Sequence, residues 1–304
     1  MVLVLFLVVC ALLFMTVGAK GNWDFILMFR GRKLLSLIVV ALAVSTSTLL
    51  FQTVSGNQIL APSIMGFDAL YVLLLTCAVY FLGGATFSVL PEMTVFAVTM
   101  AVMIVASLAL FSTLLGAAQN DVMRLILTGV IFATLFRSIT SFFQRIIDPN
   151  EYAVIASNSY ARFNRIETDL LWIAMAVLVV TFAVVWRMRH RLDVISLGFA
   201  QAVNLGEDPR RATFWILCLI AILVSVSTAL VGPVVFLGLI VVSVARLVTP
   251  TPHHSVLLIS SALVGAITLV GDQLLMERVF ALTTPLSVVI DFVGGCVFLI
   301  FLLK

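Results

Sequence analysis

Ten apolar runs restrict this chain to a membrane fold, because most approach the roughly 20 residues a helix needs to cross a bilayer core of about 30 Å. They fall at 2–19, 34–53, 64–82, 93–116, 122–142, 169–187, 212–232, 233–249, 255–276 and 280–302. The chain is 63% apolar and 10% charged, whereas soluble domains run at about 45–50% and about 25%. Residues 1–304 therefore read as one all-α integral membrane domain of about ten transmembrane helices, with no soluble domain. The first run has no basic segment before Val2, and Gly18-Ala19-Lys20 is a poor cleavage site. It reads as a retained span rather than a signal peptide.

Charge does not orient the chain. With both termini placed in the cytoplasm, Arg124, Arg187, Arg189, Arg191, Arg210, Arg211, Arg246 and Lys304 fall inside. Lys20, Arg30, Arg32, Lys33, Arg145, Arg162, Arg165 and Arg278 fall outside, an even tally that the positive-inside rule cannot resolve. A net charge of +3 carries no nucleic-acid footprint. Cys10, Cys77, Cys218 and Cys296 lie far apart in apolar runs and read as small hydrophobes. His253-His254 lacks a third ligand nearby, so no metal site is expected.

Two stretches suggest an internal repeat. VSTSTLL (44–50) matches VSVSTAL (224–230) at five of seven positions. Each is followed by a break in apolar sequence, with Gly56, Pro62 and Gly66 in one half and Gly232, Pro233 and Gly238 in the other. Breaks in corresponding positions of two halves point to a transport pathway, the helices being related as inverted-type repeats. Irregular backbone persists at membrane depth only where protein or a wet cavity satisfies it. Ser45, Ser47, Thr48, Asn57, Ser227 and Thr228 are thus candidate pathway residues, as are Arg137, Ser138 and Ser141 in ATLFRSITSFF. A bland alternative holds for each hydroxyl, which can bond its own helix backbone. Arg137, costly at mid-membrane, is expected to line the pathway or to pair with Asp68 or Asp291.

Asp148-Pro149-Asn150-Glu151 carries a helix-start signal: Asp as cap, Pro in the first turn, Glu reaching back. A short helix on the outer surface is expected there. The segment 192–211, LDVISLGFAQAVNLGEDPRR, is a polar island between spans, following Arg187, Arg189 and Arg191. Its small residues Gly198, Ala200, Ala202 and Gly206 suit close packing by a partner, and Asp208-Pro209 repeats the start signal. No G-x-x-x-x-G-K-[ST] loop, HExxH pair or nucleophile elbow occurs, so an enzyme is not expected and any ATP is hydrolysed elsewhere.

Four stretches resemble the iron-siderophore and vitamin B12 permease family of bacterial ABC importers, over about residues 30–304. They are FRGRKLL through FQTVSGNQILAPSIMGFDALY, LTGVIFATLFRSITSFFQRIIDPNEYAVI, SLGFAQAVNLGEDPRRATF and VGPVVFLGLIVVSVARLV. MGFDALY and IDPNEY are most like permease subunits for catecholate-type siderophores. Val242-Ser243 stands where many members have Pro-His, and Asp68 and Asp291 where many have small or neutral residues. The resemblance implies a multi-pass protein of the bacterial inner membrane with both termini cytoplasmic. It implies four partners: a second permease subunit (a paralogue rather than a copy), two cytoplasmic ATPase subunits holding ATP and Mg, and an extracytoplasmic binding protein. The cargo would be a ferric siderophore, with no cofactor on this chain. Leu197, Gly198, Ala200, Ala202, Asn204, Leu205 and Gly206 would couple to the ATPases, and Arg30, Arg32, Lys33 and Arg278 would dock the binding protein.

Three other readings compete. A proton-driven secondary transporter would use Asp68 or Asp291 and have no need of 192–211. A metal-ion ABC permease would put His or Asp along its pathway, whereas the histidines here read as loop residues. A purely structural scaffold leaves the hydroxyl runs and buried charges without purpose.

Overall fold

The longest helix, α2 (Trp23–Ser55), runs through the middle of the molecule and is buried along most of its membrane portion. The computed structural model describes residues 2–18, 23–117, 122–163, 167–278 and 286–302. Lys20, Arg165 and Lys304, counted above, lie outside the described residues, as does the side chain of Arg124. At 33 residues α2 extends well beyond the expected 34–53. No proline interrupts 23–33, so the helix continues through FRGRKLL and lifts the basic residues onto its upper turns.

The described residues form α1 (Val2–Thr16), α2, a single 3-10 turn (Pro62–Met65), α3 (Phe67–Leu82), α4 (Gly84–Val89), α5 (Glu92–Ala117) and α6 (Val122–Ile146). Then come α7 (Pro149–Asn158), α8 (Thr168–Arg187), α9 (Arg189–Ile195), α10 (Phe199–Asn204) and α11 (Pro209–Val231). The last three are α12 (Leu237–Val248), α13 (His254–Arg278) and α14 (Leu286–Leu302). Each expected span has its helix. Among the described residues six are long and apolar enough to cross a membrane alone, while α1, α3, α12 and α14 are shorter apolar helices. The clearest departure is 233–249. Only Leu237–Val248 is helical there, about 18 Å at 1.5 Å per residue, because the chain unwinds over 232–236. Gly232 makes this possible: its φ of +103° suits glycine, and a Cβ would press on the Tyr160 carbonyl and Ala161 backbone.

Packing reveals the repeat. α2 lies along α13 while α11 lies along α5, and α3 packs on α6 as α12 packs on α14. Exchanging α1–α2–α3–α5–α6 for α8–α11–α12–α13–α14 maps each of these pairings onto another. The halves are inverted. Thr53 near the end of α2, His254 at the start of α13 and Asp193 of α9 meet on one face, here the lower one. α11 begins on that face against α10, so it runs opposite to α2. Val17, Lys33, Glu277 and Arg278 meet on the upper face. α1 ends at this upper face. α14 begins there too: Ala161, beside the end of α11, donates its N–H to the Ser287 hydroxyl. Their other ends therefore point to the lower face.

The 149–158 helix forms as expected, with Asp148 accepting from Asn150 N at 2.8 Å. Glu151 departs from the capping-box expectation. Its carboxylate accepts from Gly84 N at 3.0 Å, satisfying the first turn of α4, a short helix with no sequence signal.

Candidate functional site

Segment 192–211 is built from α9, α10 and two turns on an apolar footing. Leu192 and Ile195 are buried against the main core, which includes Val54, Ala212 and Leu257. α10 ends in a Schellman turn, in which Gly206 N donates to Val203 O and Glu207 N to Ala202 O. The turn needs the φ of +82° that Gly206 adopts. Asp208 then caps α11, accepting from Arg210 N and Arg211 N. On this base Leu197, Phe199, Val203 and Leu205 stand 46–62% exposed. Gly198, Ala200, Asn204 and Gly206 are open beside them. One expected contact residue is corrected: Ala202 is fully buried, because α10 turns that face onto the protein. Phe199 and Val203, four apart on one helix face, join the exposed set although neither is among the expected contact residues.

A polar tie anchors this segment. Asp193 Oδ1 accepts from His254 N at 2.7 Å and lies 2.7 Å from His254 Nδ1, while His254 Nε2 is 2.8 Å from Thr53 Oγ1. The expectation that all histidines are loop residues is corrected: His190 lies in α9, and His254 opens α13 and is buried. Among the described residues no cluster of three His, Cys, Asp or Glu could hold a metal ion. Residues 61 and 201 positions apart meet in this tie, and such contacts leave no local signal.

The expected pathway residues divide into three groups. Ser47, Thr48, Ser227 and Thr228 converge, lining a small cleft with Ser63, Asp68 and the unwound stretch around Gly232 and Val235. The repeat shows in its bonding, with Ser47 Oγ donating to Val44 O and Ser227 Oγ to Val224 O, each at 3.0 Å. Gly238 of α12 leaves room for the Thr48 hydroxyl. Asp68 Oδ2 is buried with no hydrogen-bond partner. Ser45 is buried and bonds Leu42 O, outside the cleft lining. Asn57 is a correction: it sits exposed beyond the lower end of α2, where its side chain accepts from Ile59 N in a turn.

Arg137, Ser138 and Ser141 form the third group, on α6. Arg137 is exposed and forms no close ion pair with Asp68 or Asp291 among the described residues, yet its charge still acts on the Asp68 carboxylate. With Thr134 and Arg145 these residues make an exposed polar stripe along one face of α6, which packs chiefly on α3 and the 3-10 turn. Asp291 instead accepts from Phe236 N at 3.2 Å, placing its carboxylate at the start of α12, where the helix dipole favours negative charge.

The upper-face cations are mostly committed internally. Arg30 Nη1 donates to Phe14 O, Met15 O and Val17 O at 2.9–3.1 Å. Arg278 Nη2 donates to Val17 O. The two guanidinium groups satisfy the orphan carbonyls at the end of α1. Lys33 is corrected as a docking residue: it is buried and paired with Glu277 at 2.5 Å. Arg32 is exposed.

An inverted-repeat helix bundle with broken helices around a polar cleft defines a membrane transport permease. The chain belongs to the FecCD transport family, whose model matches residues 3–304. It is 43% identical to the petrobactin import system permease protein YclO of Bacillus subtilis (strain 168), over 93% of this chain and 90% of that one. It is 27% identical to the petrobactin import system permease protein FatC of Bacillus anthracis, over 89% and 77%. Among solved structures, a metal-chelate type ABC transporter in an inward-facing conformation matches with a TM-score of 0.86. That match has 21% identity and covers 99% and 97% of the two chains, and it bears on the fold.

Proposed function

We propose that this chain is a permease subunit of an ATP-driven importer that carries a ferric siderophore, of the catecholate-bearing petrobactin kind, across the bacterial cytoplasmic membrane. The cargo reading rests on the 43% identity to a petrobactin permease over nine-tenths of both chains. The energy reading rests on one observation: an apolar quartet, Leu197, Phe199, Val203 and Leu205, exposed on a segment whose base is buried. An aqueous-facing apolar patch on a rigid base suits a protein partner. Two cytoplasmic ATPase subunits, holding ATP and Mg, would grip it, with Leu197, Gly198, Ala200, Asn204, Leu205 and Gly206 in contact and Ala202 supporting from beneath. The lower face, and with it both termini, is then cytoplasmic.

The cleft at Ser47 and Ser227 has a volume of about 30 Å³, room for about two waters. A siderophore needs far more, so the path runs between this chain and a second permease subunit, with a paralogue favoured. The exposed stripe of Arg137, Ser138 and Ser141 suits that shared wall, and Arg137 suits an anionic cargo. On the upper face, exposed Arg32 is the strongest candidate to meet an acidic binding protein.

The test is uptake of radioactive iron into proteoliposomes carrying this chain, its second permease and its ATPases, with the binding protein present. Ferric petrobactin should enter with ATP and be blocked by vanadate, while ferric hydroxamates and ferric citrate enter more slowly. Uptake that ignores vanadate but collapses with an uncoupler would overturn the reading in favour of proton coupling through Asp68. Uptake of free metal ions instead would favour a metal-ion permease.

A further inference from the structure

The α2–α13 pair is pinned at both ends. At the upper face Lys33 of α2 meets Glu277 of α13 at 2.5 Å, and Gln273 Nε2 donates to the same Glu277 oxygen at 3.1 Å. At the lower face Thr53 of α2 meets His254 of α13 at 2.8 Å. Between the pins the helices pack along their length. Two antiparallel helices fixed at both ends move as one body.

The lower pin is also where segment 192–211 attaches. Asp193 of α9 receives two hydrogen bonds from His254, from the backbone N and from Nδ1, each at 2.7 Å. His254 is 3% exposed, so water does not compete for these bonds. The carboxylate fixes the Nδ1 hydrogen. The Thr53 contact survives in either charge state of the ring: neutral, Nε2 accepts from the Thr53 hydroxyl; charged, Nε2–H donates to it and Thr53 donates to Leu49 O at 2.8 Å. Leu192 and Ile195 beside Asp193 make apolar contacts, which are non-directional and resist sliding weakly. The Asp193–His254–Thr53 chain supplies the direction. Five residues above Thr53, about 7.5 Å along the helix, Thr48 lines the cleft.

We infer that His254 is a positioning residue for transport: it clamps segment 192–211 to the α2–α13 beam, so that displacement of the segment moves the cleft-lining turn of α2. The inference rests on the proposal that ATPase subunits grip 192–211.

The test uses the complete importer in proteoliposomes and reads three quantities: ATPase subunits retained on purification, ATP hydrolysed, and cargo moved per ATP. His254→Ala and Thr53→Val should keep the ATPases bound and hydrolysing while cargo per ATP falls about tenfold, within the range of ordinary allosteric couplings. Asp193→Asn keeps an accepting oxygen and should retain most coupling, whereas Asp193→Ala should not. Thr53→Val removes only a hydroxyl and decides the matter if His254→Ala does not fold. Wild-type cargo per ATP in Thr53→Val and His254→Ala would overturn the clamp and leave the grip standing. A wild-type chain that retains no ATPase would overturn the grip, and the clamp with it.

Discussion

Lys33 and Glu277 form a buried ion pair that joins α2 to α13, with Nζ 2.5 Å from Oε1 and side chains 6% and 16% exposed. Truncating one partner strands the other charge, which costs about 3–5 kcal/mol, whereas replacing both by apolar groups is often neutral. Glu277→Leu should therefore lower the thermal unfolding midpoint of the detergent-solubilised protein sharply. Lys33→Met combined with Glu277→Leu should recover part of the loss, the buried Gln273 amide being left without its acceptor. Equal midpoints for single and double variants would remove the pair from the stabilising contacts.

The same face separates stability from docking. Arg30 Nη1 lies 2.9–3.1 Å from three carbonyl oxygens at the end of α1 and shares its two hydrogens among them, and a hydrogen bond involving a charged group contributes about 1.5–3 kcal/mol. Arg30→Ala should loosen α1 and lower the unfolding midpoint, with little change in binding-protein affinity at low temperature. Arg32→Glu should do the reverse, weakening binding in a salt-dependent manner at unchanged midpoint. Calorimetry and a titration with the binding protein distinguish the two.

Gly206→Trp places a bulky side chain on a φ of +82° at the exposed end of α10. Strain at such a position is on the order of 1–3 kcal/mol, and the ring would stand among the contact residues. Binding-protein docking should stay intact while ATP hydrolysis proceeds without uptake. Normal coupled transport in this variant would sink the grip on 192–211.

Gly238→Ala would set a methyl group against the Thr48 hydroxyl where α12 crosses α2. Overpacking of this kind costs about 1–3 kcal/mol. The unfolding midpoint should fall, and Thr48→Ser in the same chain, which keeps the hydroxyl, should not restore it. Thr48→Ala should.

The sequence by itself determined the class of fold and placed the apolar runs, and it suggested the repeat that packing revealed. These follow from apolar run length and from breaks at Gly and Pro, which are local properties of the backbone. It also marked 192–211, because polar residues between spans have nowhere to go but water. The direction of side chains was decided by tertiary packing. Whether Arg137 turned inward to an acid, or Lys33 outward to a partner, depended on how α6 met α3 and how α2 met α13. Ala202 looked like its exposed neighbours until the footing of α10 covered it. Above all, the Asp193–His254–Thr53 tie unites three residues that no spacing rule connects. An ion pair or hydrogen-bond chain between distant residues exists only once helix packing has brought them within about 3 Å.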